Sequence, residues 1–533
     1  MKTYLIGLLI ILAGQIQASH WMWGESIGAQ NMERIWDLCS DADNNAFVAG
    51  EFVDSLRIGG QSYSGLGLSD TFVAKYSALG ELIWCNTLVS ENENCALGVS
   101  TDQFGNSYAG GYFVGTMYCQ GDSVISNGLW DAWVAKFDPL GDLQWLRSFG
   151  GPLNDIIHGL VVNADGQVFA GGWFADSITL DSAHTLQSYG GSDVLVLSLN
   201  AEGDLLWAHQ GGTEGVEYGY KISCDDAGNC FVTGSAGMNS NFDGLILNGH
   251  GMYVAKYNSN GAIQWLLPSL NAQVISIATQ RQAGENQRGA VAGRLTGSGT
   301  IGDFAFSTFM DSSDYYWAEF DAQNGVWLNL QVQGGAGDDR GRDVNFGSTG
   351  DLPLMVVGTI TETATFLNTQ LDSAGADDIV LWHQDFGIMQ LGGEFSEIPY
   401  AITQMPNGTI LIAGWHWGSL DMEGLEIDSG SEYNQNAFIA ACWPFVDNHE
   451  LVEHPPQLSC YPNPFKGEIT LQSPGKTMLN LCIYNLKGQK IRNLTASDQR
   501  NFCWDGKDEA GRFQAPGLYL YRLGTHRGKI VKL

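Results

Sequence analysis

Positive charge is scarce in this chain. Of 533 residues, 25 are Lys or Arg against 58 Asp or Glu, a formal net charge of −33. The balance is uneven along the sequence. Residues 20–457 hold 53 acidic against 12 basic side chains, and residues 458–533 reverse this to 5 against 12. A segment so poor in cations has no basic patch to neutralise phosphates, which excludes nucleic acid as its partner and disfavours anionic membranes. Metal cations, or basic and neutral surfaces, suit the acidic part better. Charged residues of both signs amount to only 16%, yet 17 Trp and an aromatic content of 11% exclude a disordered chain.

Long apolar runs are also missing. Leu5–Ala13 is the one candidate, preceded by Lys2 and followed by Ala18 or Ser19, so residues 1–19 read as a secretory signal peptide. No later stretch approaches the roughly 18 apolar residues of a membrane span, which leaves no transmembrane segment once the signal is removed. The usual catalytic motifs are absent: no GxSxG elbow, no P-loop, no HExxH. No CxxC occurs among the ten Cys, which argues against zinc. Export permits disulfides, and Cys224 with Cys230, or Cys482 with Cys503, are the pairs their expected strands bring closest. His158, His383 and His416 fall at different repeat positions, which favours packed or surface roles over catalysis.

What the chain has in abundance is glycine, 69 residues, set in a repeat. DTFVAKYSALGELIW returns as DAWVAKFDPLGDLQW, DVLVLSLNAEGDLLW and GMYVAKYNSNGAIQW, with weaker copies at DYYWAEFDAQNGVW, DIVLWHQDFGIMQ and NAFIAACWPF. The period averages about 61 residues. A second pattern interleaves with the first, marked by Gly50, Gly111, Gly172, Gly234, Gly293, Gly358 and Gly414. Each unit carries four strand-like runs separated by Gly, Asn and Asp turns. Leu38, Val99, Leu160, Ile222, Val344 and Ile402 form an apolar column in the first run. Such a unit cannot bury both faces alone, so neighbours must stack. The expected fold is all-β, a seven-bladed β-propeller. Its last repeat lacks an outer strand, and WMWGESIG near the start matches WLRSFGG, Trp23 aligning with Trp145. The N-terminal segment is therefore expected to close the ring.

These units resemble the bacterial β-propeller repeats known as SBBP repeats, over roughly residues 21–445. Beyond the segment VDNHELVEHPPQ the text changes, to YPNPF (Tyr461, Pro462, Asn463, Pro464, Phe465), LCIYNLKGQKI, WDGKDEAG, APGLYLYRL and a terminal KIVKL that includes Lys529 and Lys532. Alternation and turns alone suggest a small antiparallel β-sandwich. The ordered set resembles the type A C-terminal sorting domain of the type IX secretion system, an immunoglobulin-like sandwich. The resemblance implies the type IX machinery as a partner, passage through the outer membrane, and a protein secreted or attached to the cell surface. The expected domains are a signal peptide (1–19), the propeller (20–446), a linker (447–457) and the sorting domain (458–533).

Two classes of function fit. One is a surface adhesin or scaffold whose propeller binds an unidentified surface, protein or glycan ligand; the other is a secreted polysaccharide hydrolase or lyase using two carboxylates near the axis. The repeats favour binding over catalysis, and no residue is singled out as catalytic. A carboxylate recurs just before the first strand of several units, at Glu33, Asp155, Asp339 and Glu397, with Glu217 one place out of register and Asn94 in the second unit. On one rim around one axis they make a candidate calcium site, although each can equally accept hydrogen bonds from its own turn. DADNN, Asp41 to Asn45, lacks the later ligands of a calcium loop and reads as a hairpin turn.

Overall fold

The structure is a computed structural model. It describes residues 20–443 and 459–532, apart from 30, 270–271, 282–286, 310–311, 348–352, 423–424, 431–433, 462–464, 473–480, 486–489, 496–500 and 524–525. The signal segment and the linker lie outside the described residues. The chain divides into two compact units, Met1–Phe445 and Val446–Leu533. Every helix-length regular element among the described residues is a strand.

The larger unit is built from four-stranded antiparallel sheets, some extended to six strands by a docked hairpin. Asn94–Thr101, Ser107–Phe113, Asp131–Phe137 and Leu143–Phe149 form one such sheet. The first strands of successive sheets touch one another, and Glu33–Ser40 touches Glu397–Gln404, so the ring of first strands closes on itself. This is a β-propeller, with the first strands lining the axis. A feature absent from the sequence reading is a short hairpin after the second strand. Thr116–Cys119 with Asp122–Ile125 docks on the outer strand of the preceding sheet, Met117 opposite Ser90. Its strands are only four residues long and half exposed, so their alternation is too brief to stand out.

Closure follows the expected route. His20–Ile27 pairs antiparallel with Gln435–Trp443, Trp23 opposite Ala441, as Trp145 stands opposite Lys136. The repeat tryptophan explains the turn glycine that precedes it in the next repeat. Trp23 Nε1 donates to Ala78 O at 3.2 Å, Trp145 Nε1 to Ala201 O at 3.0 Å and Trp207 Nε1 to Ser259 O at 3.1 Å. Beneath these rings lie Gly80, Gly203 and Gly261, all at positive φ, where a Cβ would meet the indole at 2.5–2.9 Å. Each indole thus joins two neighbouring sheets, and burying it contributes about 2–3 kcal/mol.

The smaller unit has two antiparallel sheets. One holds Ser459–Tyr461, Ile469–Gln472 and Asn501–Trp504; the other holds Leu481–Tyr484, Lys490–Leu494, Gly517–Leu523 and His526–Lys532. They share a core of Phe465, Ile469, Leu471, Ile483, Phe502, Trp504 and Ile530. Neither expected disulfide is formed. Cys224 and Cys230 face each other in register as buried free thiols, and Cys482 and Cys503 sit in different sheets.

Candidate functional site

The glycine of the second repeat pattern builds the site indirectly. Gly172 lies opposite Ile157, and a Cβ on it would meet Ile156 O at 1.8 Å. The same clash, at 1.8–2.1 Å, recurs at Gly50, Gly111, Gly234, Gly293, Gly358 and Gly414. The carbonyl stands so close because the first strand is bulged there. In every sheet the pairing shifts by one residue, leaving an extra residue unpaired. A bulge bends its strand and re-aims a side chain. The unpaired residues are Trp36, Leu97, His158, Tyr220, Ile275, Arg342 and Tyr400, and all of them line one cavity of about 430 Å³ on the axis.

The cup they form has no rotational symmetry. Trp36 and Tyr400 lie with ring centroids 4.4 Å apart, and Trp36 Nε1 donates to Glu51 Oε1 at 3.3 Å. The Arg342 guanidinium stands 5.6 Å from the Tyr400 ring. Opposite, His158 meets Tyr220 edge-on at 5.6 Å, Tyr220 stacks on Tyr218 at 6.1 Å, and Tyr218 packs on Trp173 at 5.2 Å. Burial, reinforced by the Lys221 charge, lowers the His158 pKa to about 4, so its imidazole is neutral at pH 7. None of the described residues lining the cup is a carboxylate.

A charged brace floors the cup. Lys221 Nζ reaches Asp37 Oδ1 at 2.9 Å, joining first strands far apart in the ring. Asp343, which accepts from Ser276 Oγ and from Ile402 N at 2.7 Å, also acts on Lys221. Burial raises the Asp343 pKa to about 6 even with Lys221 opposing it. For Lys221, burial is outweighed by Asp37 and Asp343, which raise its pKa. Beyond the brace a second cavity, of about 590 Å³, opens at the other end of the axis between Asp226, Arg281 and the Ser and Thr residues that end the first strands.

Glu33, Asp155, Glu217, Asp339 and Glu397 do not converge on either cavity. Each stands three residues before a bulge, at the junction with the preceding sheet. Glu217 is therefore in register with the others, five places before Ile222 as Glu33 is before Leu38, and the one-place displacement expected for it is corrected. Loop amides hold them: Gly151 N to Asp155 at 2.7 Å, Gly335 N to Asp339 at 2.8 Å, Gly393 N to Glu397 at 2.9 Å, Thr213 N to Glu217 at 2.9 Å and Ala29 N to Glu33 at 3.3 Å. Among the described residues no group of three or more His, Cys, Asp or Glu is placed to hold a metal ion. Asp41 likewise accepts from Asp43 N and Asn45 N within its own turn. His383 and His416 are buried away from the cup.

In the smaller unit, Phe465 is in the core against Trp504 and bridges to Lys532, whose Nζ donates to Gln514 O at 2.7 Å. Tyr461 is in a strand and Lys529 pairs with Leu520. Pro462, Asn463 and Pro464 lie outside the described residues. Residues 459–532 match the secretion system C-terminal sorting domain. That domain indicates a secreted protein handled by the type IX system and delivered to the cell surface. The larger unit has more distant likenesses. An uncharacterized WD repeat-containing protein of Acanthamoeba polyphaga mimivirus is 20% identical over 244 residues, which covers 38% of this chain and only 18% of that protein's length. The C-terminal WD40 domain of Sif2 superposes with a TM-score of 0.38 at 8% identity, covering 80% of this chain and 99% of that one. A protein of unknown function from Dyadobacter fermentans gives 0.38 at 7% identity with the same coverage.

The cup residues were missed in the sequence because a repeat alignment rewards what recurs. Two places before the apolar column, and before Ile277 in the fifth unit, the sequence reads Trp, Leu, His, Tyr, Ile, Arg, Tyr. The signal was available: a position that is always large yet never settles on one residue type.

Proposed function

We propose that this is an adhesin-like binding protein of the cell surface. Its propeller, taken as seven-bladed, SBBP-type and spanning residues 20–446, presents the aromatic cup to a glycan. In this reading residues 1–19 are removed as a signal peptide, 447–457 are a linker, and 458–533 form an immunoglobulin-like sorting sandwich read by the type IX machinery. The cup carries the proposal: Trp36, Tyr220 and Tyr400 line one mouth, and aromatic side chains combine large contact area with little conformational entropy loss. The alternative, a polysaccharide hydrolase or lyase, draws its support from the floor. There Asp343, with a pKa near 6, stands beside Lys221 and within the chain's second axial cavity. Its carboxylate is already engaged by Ser276, Ile402 and Lys221, which favours a structural role.

The test is a polysaccharide array probed with the full chain and with Trp36→Ala and Tyr400→Ala. Retention of a subset of glycans, lost in both variants and without release of new reducing ends, is expected. Undiminished binding by the variants places the site elsewhere. Release of reducing ends that Asp343→Asn abolishes establishes the enzyme instead.

A further inference from the structure

Cations are rare enough in the propeller that their positions carry information. Residues 20–457 hold 12 Lys and Arg, and several are tied within the fold. Lys136 Nζ donates to Ala201 O, Lys256 Nζ to Ala322 O, Lys75 faces Asp41 at 3.6 Å and Arg288 pairs with Glu319 at 2.9 Å. Arg342 is different: it lines the cup, and Arg340 and Arg294 stand beside Gly341 and Gly293, where a Cβ on Gly341 would meet Gly293 N at 2.9 Å. Burial lowers the Arg342 pKa below its usual range. Arg340 and Arg294 repel it further, and Tyr400 and Asp377 offset this only in part. Arg294 is lowered too, by burial and by Arg340. Arg342 Nε is buried and has no hydrogen-bond partner among the described residues. Arg294 Nε is turned to Gln273 Oε1, at 2.6 Å, and Gln273 lines the cup beside Arg342. The nearest acid to Arg340 is Asp338, at 3.8 Å, whose side chain is 60% exposed. Such a surface pair contributes little.

Like charges gathered in a partly desolvated place are costly unless an anion offsets them. Here no carboxylate of the described chain lines the cup, while three aromatic rings do. We infer that the cup binds an acidic polysaccharide, its sugar rings stacked on Trp36, Tyr220 and Tyr400 and one anionic group held by Arg342 with Arg294 and Arg340 behind it. This rests on the glycan-binding reading and names the class of glycan. A planar guanidinium forms two parallel hydrogen bonds to a carboxylate or sulfate, which sets direction as well as affinity. The strongly acidic remainder of the propeller repels polyanions at long range, so the site selects a single anionic group within the mouth rather than a run of charges.

The decisive experiment is calorimetry on the full chain with short oligomers. The probes are a galacturonic acid tetramer, its carboxyl-reduced counterpart, a chondroitin sulfate tetrasaccharide and a DNA tetramer. The acidic sugar is expected to bind roughly tenfold to a hundredfold more tightly than the reduced one. Arg342→Gln should erase that difference, leave the weak neutral binding in place and leave the melting temperature unchanged. Arg342→Lys should recover only a part. Preference for the sulfated over the carboxylated probe supports the inference and identifies sulfate as the group. Equal binding of the acidic and reduced tetramers, with loss of both in Trp36→Ala, overturns the acidic ligand but keeps the glycan-binding propeller. Binding of neither overturns both, and tighter binding of DNA than of any sugar identifies phosphate and overturns this class.

Discussion

Lys221 shows how one side chain holds the axis together. It stands between Asp37 and Asp343, on first strands that are not neighbours in the ring. Replacing it with Ala leaves two carboxylates facing each other in a partly desolvated channel, which costs about 3–5 kcal/mol when a buried pair is broken. Chemical denaturation of Lys221→Ala should show that loss, and Lys221→Ala with Asp37→Asn should recover a good part of it. No recovery would mean that packing of the lysine stem dominates. The residue scale is also where the sequence was least legible. Leu38 and Val99 announced themselves by recurring, whereas Trp36 and Leu97, two places earlier, carry unlike side chains and align to nothing. The bulge that turns them inward was visible only through its shadow, the glycine at Gly50 and Gly111.

At the scale of elements, the repeated acids reveal how neighbouring sheets meet. Asp155 lies at the junction with Asp131, Asp339 with Asp314 and Glu397 with Asp378. At the corresponding junction Asn94 Nδ2 donates to Asp70 Oδ1 at 3.0 Å, a neutral version of the same contact. Burial raises the pKa of Asp155 to about 8, with Asp131 and Asp176 adding to it against the Gly151 and Ala175 amides, and raises that of Asp131 to about 6. Asp155 therefore takes up a proton on folding between its unfolded pKa of about 4 and its folded value. Its contribution is complete at low pH and is lost as pH rises through 8. Asp155→Asn should accordingly match the parent at about pH 3.5 and exceed it by about 3–6 kcal/mol at pH 8.5. Melting curves at the two pH values check this, and an equal change at both contradicts it. The strand order and the closing role of His20–Ile27 were legible, because Trp23 reads as one more copy of a repeated tryptophan. The junction role of the carboxylates was not, since a ring of acids on one rim looks the same in sequence whether the side chains face the axis or the next sheet.

For the whole molecule, composition was informative and incomplete. The split between an acidic propeller and a basic tail marked two units, and the tail's matched sorting domain makes export the natural fate. A chain truncated at Gln457 is expected to stay off the cell surface in fractionated cells, and surface delivery of the truncated chain contradicts the sorting role. Net charge was a poorer guide to the ligand. It counted 53 acids against 12 cations without revealing that Arg342 lines one mouth, with Arg294 and Arg340 on the strands beside it. Binding at that mouth is tested most directly by a crystal structure of the full chain with a bound galacturonate oligomer. A sugar ring is expected against Trp36 and Tyr400, with a carboxylate on the Arg342 guanidinium. An oligomer seated in the opposite cavity between Asp226 and Arg281, or on the sorting domain, would contradict it.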